Sequence, residues 1–142
     1  MKIAVYLSHF GKVGGVETTT LNLCKALTPF HDVTLIMEKC DNWERILKDV
    51  DCNLFILDKD KDYHFNTVIM QSSWGYNPLD KFHAKKYIQI IHSDYTYYYE
   101  KMHWEYVEHS KINYRVAVGQ YVKRTFEKLT GKKINKVIYN FV

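Results

Sequence analysis

Cysteine is scarce in this chain of 142 residues, which holds only Cys24, Cys40 and Cys52. The count is odd and no two of them form a C-x-x-C pair, so neither a disulfide framework nor a zinc site is expected, and a reducing, cytoplasmic setting suits them. No apolar run approaches the roughly 20 residues that cross a bilayer. The opening run from Met1 to Leu7 is cut off by Ser8, His9 and Gly11, too early for an export signal. Internal repeats and low-complexity tracts are missing too, apart from a charged run at Asp58 to Asp62. That run alternates acids as a calcium loop does, but Tyr63 and Ile69 stand where the loop needs glycine and glutamate, so it reads as a solvated turn. His103-Trp104-Glu105 has the H-x-E spacing of zinc deaminases without their P-C-x-x-C partner, and there is no H-E-x-x-H. Ser72, Ser73, His92 and Asp94 have no G-x-S-x-G elbow to make them a hydrolase triad, and G-x-G-x-x-G, the dinucleotide fingerprint, is absent. No metal, no cofactor and no nucleic-acid partner is expected.

What is present is an ordinary globular composition, 46% hydrophobic and 25% charged, in a length that fits one domain. A domain of this size buries roughly 70% of the surface its unfolded chain exposes. The net charge is +4. Positive charge gathers in the second half, at Lys81, Lys85 and Lys86 and then from Lys123 and Arg124 through Lys128, Lys132, Lys133 and Lys136. These are either solvated faces of helices and turns or a surface for an anionic partner.

Along the chain, short apolar runs alternate with helical spacing. Ile3 to Leu7 reads as a buried strand, Gly11 to Gly15 as a glycine-bearing loop, and Leu23, Ala26, Leu27 and Phe30 as one face of a helix that Pro29 must end. Val33 to Met37 is the next strand, Trp43, Ile46, Leu47 and Val50 suit an amphipathic helix, and Leu54 to Leu57 is a further strand. Thr67 to Met70 and Tyr87 to Ile91 are strands on either side of a segment from Pro78, where Leu79, Phe82 and His83 would line a short helix. Val116 to Val118 precedes a helix from about Gln120 to Leu129 that Gly131 stops, and Lys136 to Tyr139 begins one more strand. Unbroken apolar strands are covered on both faces, so the predicted fold is a single-domain, Rossmann-like α/β structure, a doubly wound parallel sheet with helices on both faces. The end at Val142, straight after a strand, reads as a domain boundary.

In such a sheet, ligands bind at the carboxyl ends of the strands. The segments that matter are therefore Gly11 to Glu17, Gln71 to Gly75, His92 to Tyr95, and Gly119. Gly14 and Gly15 stand directly before a helix, where the backbone can approach a ligand closely and free N–H groups attract a phosphate or another polar group. The same pair also serves as a plain tight turn, with Glu17 complementing the helix dipole.

Strand 1, the Gly14-Gly15-Val16-Glu17 turn and the helix after it resemble the opening of family-4 glycosyltransferases of the GT-B fold. Ile90-Ile91-His92-Ser93-Asp94 is similar to that family's strand-end histidine segment, and Val116-Ala117-Val118 with its helix is similar to the penultimate element. Val137-Ile138-Tyr139-Asn140-Phe141-Val142 resembles the Val-Ile-x-Asn-x-Val hinge. Gly119 stands where many members have serine, and Phe141 where proline or glycine is common. The resemblance implies that residues 1–142 are the N-terminal, acceptor-binding domain of a transferase whose donor-binding C-terminal domain follows the hinge. It implies transfer of a sugar from a nucleotide-diphosphate-sugar donor to a glycan or lipid-linked acceptor, with retention, without a metal, and not by this domain alone. Carried over, His92 contacts the donor sugar, Gly14, Gly15, Val16, Ser93, Asp94 and Tyr95 line the substrate cleft, and Asn140 belongs to the hinge.

Tyr95, Tyr97, Tyr98, Tyr99, Trp104 and Tyr106 form an unusually aromatic stretch. Most of these rings suit packing of a helix on the sheet, while exposed ones beside Lys81, Lys85, Lys86 and Lys101 would suit peripheral contact with the cytoplasmic face of an anionic membrane. An uncovered interdomain cleft would favour self-association. Two other readings are a stand-alone glycan-binding or membrane-anchoring module and a single-domain nucleotide-binding protein, the latter lacking a clear phosphate loop or acidic cluster.

Overall fold

A computed structural model describes residues 1–12, 14–72, 78–92 and 110–139 of the chain. Its strands are β1 (Lys2–Phe10), β2 (Asp32–Cys40), β3 (Asn53–Ile56), β4 (Tyr63–His64), β5 (Thr67–Ser72), β6 (Phe82–His83), β7 (Lys86–Ile91), β8 (Tyr114–Ala117) and β9 (Lys136–Val137). Its helices are α1 (Gly15–Leu27), α2 (Trp43–Asp49) and α3 (Gln120–Thr130). Seven strands form one sheet in the order β3-β2-β1-β5-β7-β8-β9, and every pairing in it is parallel. This is the Rossmann-like arrangement read from the apolar runs.

Two cores lie on opposite faces of the sheet. Val5, Leu7, Val33, Leu35 and Met37 pack against Leu21 and Cys24 of α1 and Ile46 of α2. Alternate residues of the same strands, Ala4, Tyr6 and Ile36, join Val68, Met70, Tyr87 and Ile91 against Phe126 of α3. Successive strand side chains point to opposite faces, so one apolar run feeds both cores.

Helix ends follow from single residues. The Asn42 side chain accepts the Arg45 N–H at 3.3 Å and caps α2. Gly131 takes the left-handed conformation, φ 71°, that ends α3. α1 closes at Leu27, two residues before Pro29, which puts Phe30 beyond the helix and 80% exposed, not on its buried face. Leu47 is likewise solvent-facing, because a seven-residue helix buries only the stripe of Ile46. The helix expected after Pro78 is a single 3-10 turn, Leu79–Lys81, after which the chain extends as β6 and pairs with β4 in a separate two-stranded sheet. Leu79 and Phe82 are buried there as anchors of a connection, so their spacing imitated a helical stripe.

Three asparagines fix the amino edge of the main sheet. Asn66, Asn113 and Asn135 each stand one residue before a strand, and each pairs with both backbone groups of one residue in the neighbouring strand. Asn66 donates its N–H to the Lys2 carbonyl and accepts the Lys2 N–H on Oδ1. Asn113 does the same with Tyr87, and Asn135 with Arg115. These clasps replace ladder bonds where the strands begin and set their register.

Candidate functional site

Strand order reverses at β1, which has β2 on one side and β5 on the other, and in open parallel sheets the carboxyl ends of the strands at such a switch point are where ligands bind. The glycine turn follows β1, Gln71 lies near the end of β5, and His92 follows β7, the next strand along. All three belong to that edge.

The turn is shaped by Glu17. Its Oε1 accepts the Gly11 N–H at 3.2 Å, folding the carboxylate back over the loop from the first turn of α1. A Cβ on Gly14 would overlap this carboxylate, whereas a Cβ on Gly15 would meet nothing within 4 Å. Gly14 is extended, φ 166°, so the demand there is for space and not for an unusual backbone angle. Thr18 and Thr19 turn their hydroxyls back to the carbonyls of Gly14 and Gly15, at 3.2 and 2.7 Å. Arg45 of α2 donates to the Thr18 hydroxyl at 2.8 Å, which places a guanidinium beside the turn. Val16 is half-buried and packs on the α1 core, so its side chain anchors the turn.

His92 is half-buried, and its Nε2 lies 2.6 Å from Gln71 Oε1. Burial pushes its pKa down to about 4, so the ring is neutral at pH 7. With Nε2–H donating to the amide oxygen, Nδ1 is left as an acceptor. Gln71 is itself fully buried, and its Nε2 has no hydrogen-bond partner among the described residues. The reason for its direction is a slip in register. Tyr6 pairs with Met70 and Leu7 with Ser72, so Gln71 is the bulged residue of β5, opposite no residue of β1. Bulges of this kind re-aim a side chain at the end of a ladder.

Beside the turn, on the β2 side, His9 Nε2 lies 2.6 Å from Asp41 Oδ2. Asp41 is held below the ordinary carboxylate range by that bond and by nearby Lys39. Gly119 caps α3 at the end of β8 in an extended conformation, with open space where a Cβ would stand. Among the described residues no group of three His, Cys, Asp or Glu side chains gathers to hold a metal. No described helix is long and apolar enough to cross a membrane.

Of the expected site residues, Gly14, Gly15 and His92 fall on the carboxyl edge, and Val16 supports them from below. Ser93, Asp94, Tyr95, Asn140 and the aromatic stretch to Tyr106 lie outside the described residues. Gln71, Glu17 and Arg45 acquire roles that spacing did not assign. The visible signal for Gln71 was a buried polar residue closing an apolar strand.

The fold defines the chain as a Rossmann-like α/β domain. Compared with protein families, curated proteins and solved structures, the sequence and structure match none.

Proposed function

We propose that this chain is the acceptor-side domain of a retaining glycosyltransferase, which works with a donor-binding domain to move a sugar from a nucleotide diphosphate onto a glycan or lipid-linked acceptor. The observation that carries the reading is the polar pair at the switch point, a neutral His92 held by a bulged, buried Gln71 whose amide nitrogen is unpaired among the described residues. A neutral imidazole accepts and an amide donates, which is the complement that a sugar hydroxyl needs. Beside it stands a helix N-terminus whose second glycine is open to solvent, a surface suited to a diphosphate or to a domain closing over it. Charge on the leaving diphosphate would then be met by backbone N–H groups and by cations of the second domain. Resemblance of the Gly14–Glu17 turn and the His92 segment to family-4 enzymes supports the same assignment.

The test is a transfer assay with the chain fused to a donor-binding domain of that family, using labelled UDP- and GDP-sugars and lipid-linked acceptors. Transfer by the wild-type fusion, reduced roughly ten- to hundredfold by His92→Ala and by Gly15→Val, is the expected result. Undiminished transfer by both variants rejects the site.

A further inference from the structure

The two flanks of the sheet end in unlike strands. At one flank, β9 is two residues long and begins with Lys136, short and charged as outer strands commonly are. At the other, β3 pairs with β2 alone, and from Asn53 to Leu57 it carries no charge, no proline and no glycine. Leu57 donates its N–H to the Met37 carbonyl, so by alternation the backbone groups of Leu54 and Ile56 point away from β2, along the open flank.

The side chains around those groups are apolar. Leu54 packs on the α1–α2 core and Leu57 on the opposite one, which puts Ile56 on the α2 face and Phe55 on the other, 47% and 51% exposed. α2 extends the patch. Arg45 reaches Thr18 and Asp49 reaches Lys25, both on α1, while Ile46 enters the core. Trp43 and Leu47 therefore occupy the side of α2 turned away from α1, on the β3 flank, where both are exposed.

We infer that β3 is the interface of a homodimer, in which two copies pair antiparallel across a two-fold axis at Phe55. The open backbone groups fix the register. Centred on Phe55, Leu54 of each copy exchanges both hydrogen bonds with Ile56 of the other, so every outward group of β3 is satisfied within the two strands. Centring on Leu54 would need Cys52, which lies before the strand. Centring on Ile56 would need the Asp58 N–H, which is already donated to the Tyr63 hydroxyl at 2.9 Å. In the Phe55 register the two Phe55 rings form a close, non-hydrogen-bonded pair. Charge agrees, since Asp51 stands four residues before the axis and Lys59 four after it, so each aspartate meets the lysine of the other copy. Lys59 also pairs with Glu38 at 3.4 Å and keeps more than half of its surface open. Trp43 and Leu47 of the two α2 helices flank the seam. The switch point at β1 lies two strands away, so this contact is distinct from closure of a cleft at the carboxyl edge.

Such an interface is small beside the roughly 800 Å² per partner of a standard complex, so the dimer is expected to be reversible, with a micromolar Kd. Sedimentation velocity of the full chain across micromolar concentrations is the test. The expected result is a weight-average mass that rises from 17.0 kDa towards twice that value and no further. Ile56→Lys, which adds a charge at an already exposed position, should weaken the dimer roughly tenfold without moving the unfolding midpoint. Phe55→Cys, oxidised at dimer-forming concentration, should yield a peptide linked through position 55 of two copies. Asp51→Lys should weaken association about threefold, and adding Lys59→Asp should restore it. A chain that stays monomeric, open-ended growth, a dimer that Ile56→Lys leaves intact, no link through position 55, or a charge swap that restores nothing overturns the inference.

Discussion

The two edges of the sheet treat polar atoms in opposite ways. At the amino edge, Asn66, Asn113 and Asn135 each close a two-bond ring with one residue of the neighbouring strand. The Asn53 amide reaches Asp32 across the starts of β3 and β2 at 2.9 Å. At the carboxyl edge, the register slips, Gln71 is buried with an amide nitrogen unpaired among the described residues, and a neutral histidine presents Nδ1 as an acceptor. A buried unpaired donor costs roughly 1–3 kcal/mol, so retaining one is expensive. The asparagine clasps close the amino edge at the starts of β5, β8 and the neighbouring strands, although His31 Nδ1 beside the start of β2 is buried without a partner among the described residues, while the carboxyl edge holds hydrogen-bonding capacity at Gln71 and His92. An unpaired buried amide is not confined to that edge, because Gln89, buried in mid-strand of β7, also has an amide unpaired among the described residues.

The largest expected effect separates the edges by pH. The His92 pKa is depressed from 6.5 to about 4, so folding opposes its protonation. Above pH 6.5 the ring is neutral in both states and stability is full. As pH falls from 6.5 towards 4 the unfolded chain takes up the proton first, and stability drops by roughly 3 kcal/mol. His92→Gln removes a titrating group while keeping an amide for Gln71, so denaturant unfolding at pH 7 and pH 4.5 should show a smaller loss in the variant. Equal losses in variant and wild type would mean that His92 is not sealed as described.

Next come the clasps. Asn113→Ala and Asn135→Ala should each cost about 1–2 kcal/mol in denaturant unfolding, since each strips a partner from a partly buried backbone N–H. Asn66→Ala should cost less, because its bond to Lys2 is exposed. Gln71→Met, by contrast, removes one bond and one unpaired donor together, so its stability should stay within about 1 kcal/mol of wild type. If transfer nevertheless falls in the fusion assay, the reserve at the carboxyl edge is functional. A Gln71→Met loss as large as that of Asn113→Ala would erase the distinction between the edges.

The parallel sheet was legible because buried strands on two-sided sheets read as continuous apolar runs, and Ile3–Leu7, Val33–Met37 and Tyr87–Ile91 are such runs. Gly131 was legible because a left-handed cap suits few other residues. The helix after Pro78 was misread, since Leu79 and Phe82 are buried at a three-residue interval that a 3-10 turn followed by a strand satisfies equally well. β4 and β6 are two-residue strands with no periodicity to detect. At the site, the glycines and His92 were visible by residue type and place in the strand–turn–helix pattern. Gln71 as the partner of His92 was not, because the bulge that aims it depends on the pairing of β1 with β5, residues far apart in sequence. The clasps were hidden for the same reason, as an asparagine before a strand looks like any turn residue until its neighbour is known.

The smallest effect divides two adjacent glycines. A methyl group at Gly14 must displace the Glu17 carboxylate and with it the bond to the Gly11 N–H. Gly14→Ala should therefore lose about 0.5–1 kcal/mol, with no backbone strain to add to it. Gly15→Ala puts its methyl into open space at the first position of α1, where alanine is the better helix former, and should be neutral or gain a few tenths of a kcal/mol. Thermal unfolding of the pair tests the geometry of the turn alone. The same two proteins in the fusion assay then test what the open space is for. If Gly15→Ala folds as well as wild type and transfers more slowly, the room beside Gly15 is filled by donor or closing domain during the reaction. If it transfers at the wild-type rate, that glycine serves the turn and nothing beyond it, and the case for the carboxyl edge falls back on His92 and Gln71.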